Sequence, residues 1–290
     1  MNGGVAPSRE SGEVRRMSSV RGTPKLRRLD IRNAQRNIAR GCCVLWREPR
    51  ASLPRPTVGS IAVIVAGLIA TVAAMFLFDT AASDWARHLP RWLTDVFEEI
   101  TNFGLSGWFL IPFGFVLLCL AVFTSQELPR FTQGVLAALA ARFGFLFLAI
   151  GAPGLFVTIV KRLIGRARPY VGSHDDPFSY MPFIWRPEYA SLPSGHATTA
   201  TAAAIAIGAL WPRARSVMWL YALLIMFSRV VVLAHHPSDV IAGALVGAIG
   251  ALLVRRWFAA RRLVFAAGDL RPFPGPSSKR VKAAIRDVVS

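Results

Sequence analysis

The chain has 290 residues, of which 53% are hydrophobic and 17% charged; a soluble domain usually carries about 25% charged residues. Together with a mean hydropathy of +0.44, this argues against a soluble domain and for a membrane protein with its apolar residues gathered into long runs. The formal charge of +18 is concentrated in the first 55 residues, around Lys161 to Arg168, and after Val254.

Residues 1–56 form a polar, basic arm. The first apolar run begins too late for a cleaved signal peptide, which belongs within about the first 30 residues, and most of the arm is expected to be disordered. Residues 31–45 admit two readings. Ile31, Ala34, Ile38, Cys42 and Leu45 recur at helical spacing beside a row of Arg32, Arg36 and Arg40, as in a helix lying on anionic lipid. A solvated basic arm that only fixes topology is the other. No nucleic-acid motif accompanies the charge. Cys42, Cys43 and Cys119 make no disulfide framework and read as reduced thiols, with lipidation of the adjacent pair as the alternative.

Six apolar runs follow, and the expected class is an all-α integral membrane protein with a six-helix domain over 57–262. Val58 to Phe78 is the first span, near 20 residues. An acidic interval over 79–106 carries Asp79, Asp84, Asp95, Glu98 and Glu99, with Trp85, Trp92 and Trp108 placed as an interfacial belt. Gly107 to Thr124 is the second span and Gly134 to Val160 the third; Arg142 in it either snorkels to the interface or faces the bundle interior. After a polar interval over 161–194 come a short Ala- and Thr-rich span from Gly195 to Trp211, a fifth from Ser216 to Ala234, and a sixth from Val240 to Phe258. The tail, 263–290, is basic and expected to be disordered.

Six spans put both termini on one side, together with the basic arm, the Arg213/Arg215 turn and the basic tail. The positive-inside rule makes that side the cytoplasm, in a multi-pass protein of the cell (inner) membrane. The 79–106 loop, the 161–194 loop and the His235–Asp239 turn then face the periplasm or exterior. Basic residues in the 161–194 loop run against the rule, which favours a chemical reason for them.

Three short pieces carry that chemistry. Lys161-Arg-Leu-Ile-Gly-Arg-Ala-Arg168-Pro169 could bring Lys161 and Arg168 to one face if the third helix ran on, about 10 Å apart along its axis; contact with lipid headgroups explains the same charges. Ser191-Leu-Pro193-Ser194-Gly195-His196 offers Ser194 as an N-cap and free amides at a helix start, a ready phosphate site. Ser228-Arg229-x5-His235-x3-Asp239 places a forked donor, an imidazole and a carboxylate within one turn and its flanks. All three lie at span ends on the same expected side.

In this order, the three pieces resemble the signature of the type-2 phosphatidic acid phosphatase superfamily, over about residues 58–260. The resemblance implies phosphate-ester hydrolysis through a phosphohistidine, without metal or other cofactor. It makes His235 the nucleophile, Asp239 its orienting partner and His196 the general acid and then base. Lys161, Arg168, Ser194, Gly195 and Arg229 become the phosphate-binding set, supplying the charge that Mg²⁺ supplies in many phosphoryl-transfer enzymes. His236 is expected at the entrance or the interface. Arg162, Arg166 and Arg186 fall outside the signature and would widen the positive field, meet a second phosphate, or pair with headgroups.

The implied substrate is a membrane lipid phosphate: phosphatidate, phosphatidylglycerol phosphate, polyprenyl diphosphate or a lipid A phosphate. Phe178, Tyr180, Met181, Phe183, Ile184 and Trp185 suit contact with acyl chains or the interface. The competing readings are a phosphotransferase on the same phosphohistidine, a non-catalytic lipid phosphate binder or transporter, and a zinc site of His196, His235 and Asp239. Anionic lipids at the arm are the other expected partner; nucleic acid is not, and no oligomeric state follows.

Overall fold

In the computed structural model, which describes residues 1, 3, 31–52, 56–171, 176–268 and 270–289, the chain is all-α. The expectation of disorder over residues 4–30 lies outside these. Ten helices run as α1 (Ile31–Leu45), α2 (Val58–Leu77), α3 (Asp79–Arg87), α4 (Arg91–Asn102), α5 (Gly107–Phe123), α6 (Arg130–Ile164), α7 (Gly195–Leu210), α8 (Arg215–Val231), α9 (Pro237–Ala260) and α10 (Ser278–Val289) among the described residues.

Among the described residues, five helical stretches are long and apolar enough to cross a membrane: Val58–Leu77, Arg91–Phe123, Arg130–Ile164, Pro212–Val231 and Pro237–Ala260. The sequence reading counted six. Its fourth span, α7, is helical, but at 16 residues it reaches only about 24 Å, short of the roughly 30 Å of a hydrocarbon core.

The short helix is the centre of the bundle. Packed against α6, α8 and α9, α7 buries Ala200, Ala203, Ala204 and Ala206 completely or nearly so. Small side chains let the backbones close in, the usual basis of helix association where lipid removes the hydrophobic drive. On α9, a Cβ added to Gly243 would come within 2.4 Å of Ser194 O, and one added to Gly247 within 2.4 Å of Thr198 O. Thr198 Oγ1 donates to Ser194 O and Gly243 O, both at 2.9 Å. The start of α7 is thereby held against the start of α9.

The arm and the tail meet at one end of the bundle. Contrary to a solvated arm, residues 31–45 fold as α1: Asn33 Nδ2 donates to Thr124 O at 2.8 Å, and Asn37 Nδ2 to Ala121 O at 2.8 Å and Thr124 O at 2.6 Å. These amides satisfy carbonyls that the last turn of α5 cannot use internally. Ala34 faces the bundle, while Ile31, Ile38 and the Arg32, Arg36, Arg40 row stay exposed.

Beyond α1, the Arg50 and Ala51 amides donate to Ala260 O at 2.8 and 3.1 Å, and Trp46 meets Trp257 edge-on at 5.7 Å. The tail is ordered as well. Phe265 packs on Phe145 at 4.8 Å, and α10 lies on α6 with Ala284 buried and Thr132 donating to Asp287. Arg142 has a structural task here, donating to Phe273 O at 2.8 Å.

Candidate active site

At the opposite end, five elements converge: α3, the segment after α6, and the terminal turns of α7, α8 and α9. Gly165 makes the first of these turns possible. It ends α6 at φ +64°, where a Cβ would stand 1.8 Å from Met181 O, so only glycine fits. The expected unbroken helix from Lys161 to Arg168 is therefore corrected. Lys161 is in the last turn of α6, and Arg168 follows the break, held by its Nε to Pro187 O at 3.0 Å and its backbone N–H to Glu188 O at 2.9 Å. The loop fold, not a shared helical face, brings the two cations together.

Ser194 is the N-cap of α7, its hydroxyl accepting from Ala197 N at 3.5 Å, and its own N–H donates to Asp239 O at 2.9 Å. Gly195 and His196 follow in the first turn, where amide donors point out of the helix. His196 packs on Gly104, where a Cβ would come 2.8 Å from its ring. The electrostatic surroundings of His196 are Arg229, His235, Arg168 and Lys161. Three of the predicted phosphate-binding cations and both predicted catalytic histidines therefore share one small region. Arg229, only 7% exposed, donates from Nη1 to Thr101 Oγ1 at 2.5 Å, and its Nε has no partner among the described residues.

His235 and Asp239 are both buried, but they are not in direct hydrogen-bond contact. Nδ1 of His235 is 3.8 Å from Asp239 Oδ2. Ser191 Oγ donates to the same Oδ2 at 2.5 Å and lies 3.4 Å from Nδ1. Burial lowers the His235 imidazole to about 4, with Asp239 opposing the shift and Arg168 and Arg229 adding to it. The ring is neutral at physiological pH, and an uncharged imidazole is the nucleophilic form.

Asp239 is held from below by an ion-pair network that sequence reading missed. Arg166, fully buried, donates from Nη1 to Asp239 Oδ1 at 2.6 Å and to Ser238 Oγ at 2.7 Å, and from Nη2 to Asp79 Oδ2 at 2.7 Å. Ser238 completes the ring, donating from N and Oγ to Asp79 at 3.0 and 2.5 Å. Burial alone would lower the Arg166 pKa, but Asp239 and Asp79 together hold it above the ordinary value.

Arg166 thus neither contacts headgroups nor faces a second phosphate, and Asp79 is not part of an exposed acidic loop. His236 is likewise corrected. It is 2% exposed, beneath the site, with Nδ1 3.3 Å from Ser83 Oγ. The available sequence signal was Arg166 itself, a third basic residue in an interval where topology disfavours them. Among the described residues no three His, Cys, Asp or Glu side chains are grouped as metal ligands.

The profile of the PAP2 superfamily matches residues 142–263, which include all three motifs. A lipid A 1-phosphatase of Rhizobium johnstonii is 33% identical over 238 residues, 81% of this chain and 94% of that protein. The chain belongs to the PAP2 superfamily. As a PAP2 protein it is a multi-pass membrane enzyme, a lipid phosphate phosphatase, as the order of its motifs implied. A second lipid A 1-phosphatase, from Rhizobium etli, is 32% identical over 220 residues, covering 73% of this chain and 89% of the relative. The crystal structure of a transmembrane PAP2-type phosphatidylglycerolphosphate phosphatase from Bacillus subtilis aligns with a TM-score of 0.45 and 23% identity, over 67% of this chain and 93% of that one.

Proposed function

We propose that this PAP2 enzyme removes the 1-phosphate of lipid A, or of a closely related lipid, through a phosphohistidine on His235. The observation that carries the mechanism is the single cluster of His196, His235, Arg168, Arg229 and Lys161. Two relatives named lipid A 1-phosphatase, matched along most of both chains, support the substrate.

In the proposed reaction His235 Nε2 attacks phosphorus, because Nδ1 faces Ser191 and Asp239. As the N–P bond forms and the P–O bond to the lipid breaks, His196, held protonated by the anionic phosphate bound beside it, gives its proton to the leaving oxygen. It then takes a proton from the water that attacks the phosphohistidine, releasing phosphate and restoring neutral His235. Lys161, Arg168, Arg229, the Ser194 hydroxyl and the Gly195 amide stabilise charge on the equatorial oxygens. Three cations around His196 allow the chain itself to supply the positive charge that a metal supplies in many phosphoryl-transfer enzymes.

We further place the site on the periplasmic side, with six crossings and both termini cytoplasmic. The contact of residues 46–51 with the end of α9 supports an even number of crossings, since it puts both flanks of the domain at one end. Enclosed by three longer helices, α7 need not match the lipid thickness itself. The basic, outward row of α1 suits an anionic leaflet.

The test is phosphate release by the purified protein in detergent with EDTA, from lipid A, phosphatidate, phosphatidylglycerol phosphate and polyprenyl diphosphate. Lipid A should lose its 1-phosphate with wild type and keep it with His235→Ala. Turnover of the other lipids but not lipid A would sink the substrate assignment.

A further inference from the structure

One buried hydroxyl in the site lies outside the superfamily signature, just ahead of residues 193–196. Ser191 lies three residues ahead of Ser194 and is completely buried. Its backbone N–H donates to Arg166 O at 3.1 Å, which ties it to the segment carrying the Asp239 counter-ion. We propose that Ser191 is a positioning residue for the nucleophile: its hydroxyl, in place of a direct carboxylate contact, couples His235 to Asp239. The proposal rests on the phosphohistidine reading above.

Proton counting fixes the direction of the coupling. A serine hydroxyl has one proton, and the 2.5 Å contact gives it to Asp239 Oδ2, the stronger acceptor because it is charged. Ser191 Oγ then faces His235 Nδ1 at 3.4 Å as an acceptor. Nδ1 therefore carries the ring proton, and Nε2 keeps the lone pair that attacks.

Asp239 also accepts from Arg166 at Oδ1 and from the His236 N–H, at 2.9 Å, at Oδ2. With three donors, one of them a buried cation, little of its charge is left to draw a proton onto His235. The other groups facing the ring are Arg168 from the loop after α6, Arg229 on α8 and His196 on α7; none of them favours an imidazolium.

Removing the hydroxyl should change this balance. Asp239 Oδ2 loses its shortest donor and faces the imidazole with nothing between, and an opposite charge favours the protonated ring. The nucleophile is then protonated over a wider pH range, so the limb of kcat/KM that reports His235 moves to higher pH.

The experiment compares wild type, Ser191→Ala, Ser191→Thr, Ser191→Cys and His235→Ala on lipid A in detergent. Ser191→Ala should lower kcat roughly 10- to 100-fold, leave KM within about threefold, and raise the acid limb by about one pH unit or more. Ser191→Thr, which keeps a hydroxyl, should hold the limb near wild type. Ser191→Cys, a weak donor of similar size, should raise it, and this arm stands if the alanine variant fails to fold. An unmoved limb in the alanine or cysteine variant overturns the proposal, whatever happens to kcat or thermal stability. Full activity of His235→Ala would instead overturn the phosphohistidine reading and the proposal with it.

Discussion

Two adjacent histidines in this protein have different environments because they belong to different structural units. His235 ends the turn after α8, and its N–H donates to Arg229 O at 3.1 Å. His236 is the N-cap of α9, its N–H accepted by Asp239, its ring among Ser83 and the Asp79 network. Burial lowers the pKa of both rings, but only His235 also faces Arg168, Arg229 and His196. His236→Ala should therefore cost about 1–3 kcal/mol of stability, through a lost buried polar contact and a small void. Its turnover should stay within a few-fold of wild type at a temperature where it remains folded. Thermal unfolding and kcat measured together check this; loss of turnover with unchanged stability would move the nucleophile to His236.

Among the elements, the Asp79–Arg166–Asp239 unit binds α3, the loop after α6 and α9 into one body. A buried ion pair contributes modestly while intact, but breaking it strands a charge, at about 3–5 kcal/mol. Arg166→Met should accordingly unfold at markedly lower temperature, since it leaves two buried carboxylates uncompensated. Adding Asp79→Asn should recover part of the loss while activity stays low, because Asp239 still lacks its guanidinium. Equal stability of the single and double variants in a detergent melt would contradict the charge-stranding account.

This unit also marks where sequence stops being sufficient. The eight residues proposed for the site each sit in a short motif, and the motifs come to one end of the bundle, although Arg168 lies in the loop after α6 and not on its helix. Arg166 and Asp79 are 87 positions apart, and nothing local ties an aspartate after the first apolar run to an arginine after the third. Ser191 opens the second piece, but a serine two residues ahead of a proline reads only as turn chemistry, and nothing in the sequence gives it a role. The same limit applies to α1 and α10: low apolar content argues for disorder, but Asn33, Asn37 and Ala284 find partners on α5 and α6 that composition cannot reveal.

For the whole molecule, the distribution of contacts separates two ends. One holds α1, the end of α9 and α10, with the basic residues of these helices; the other holds every residue of the proposed reaction. On the proposed topology the bundle begins and finishes at the same end and crosses the membrane an even number of times, so that beside the five stretches of spanning length among the described residues α7 is the sixth crossing. Its buried Ala, Thr and Gly surface makes that reasonable, because a helix sheathed by protein meets no lipid that its length must match. If the positive-inside rule orients the bundle, Arg213 lies in the cytoplasm and Trp185 outside. With Cys42, Cys43 and Cys119 replaced, single cysteines at Trp185 and Arg213 can be probed with an impermeant maleimide. The Trp185→Cys protein should label in intact cells with a permeabilised outer envelope, and Arg213→Cys only after the inner membrane is broken. Labelling of both from the same side would rule out α7 as a crossing; the reverse pattern would put the phosphohistidine chemistry in the cytoplasm.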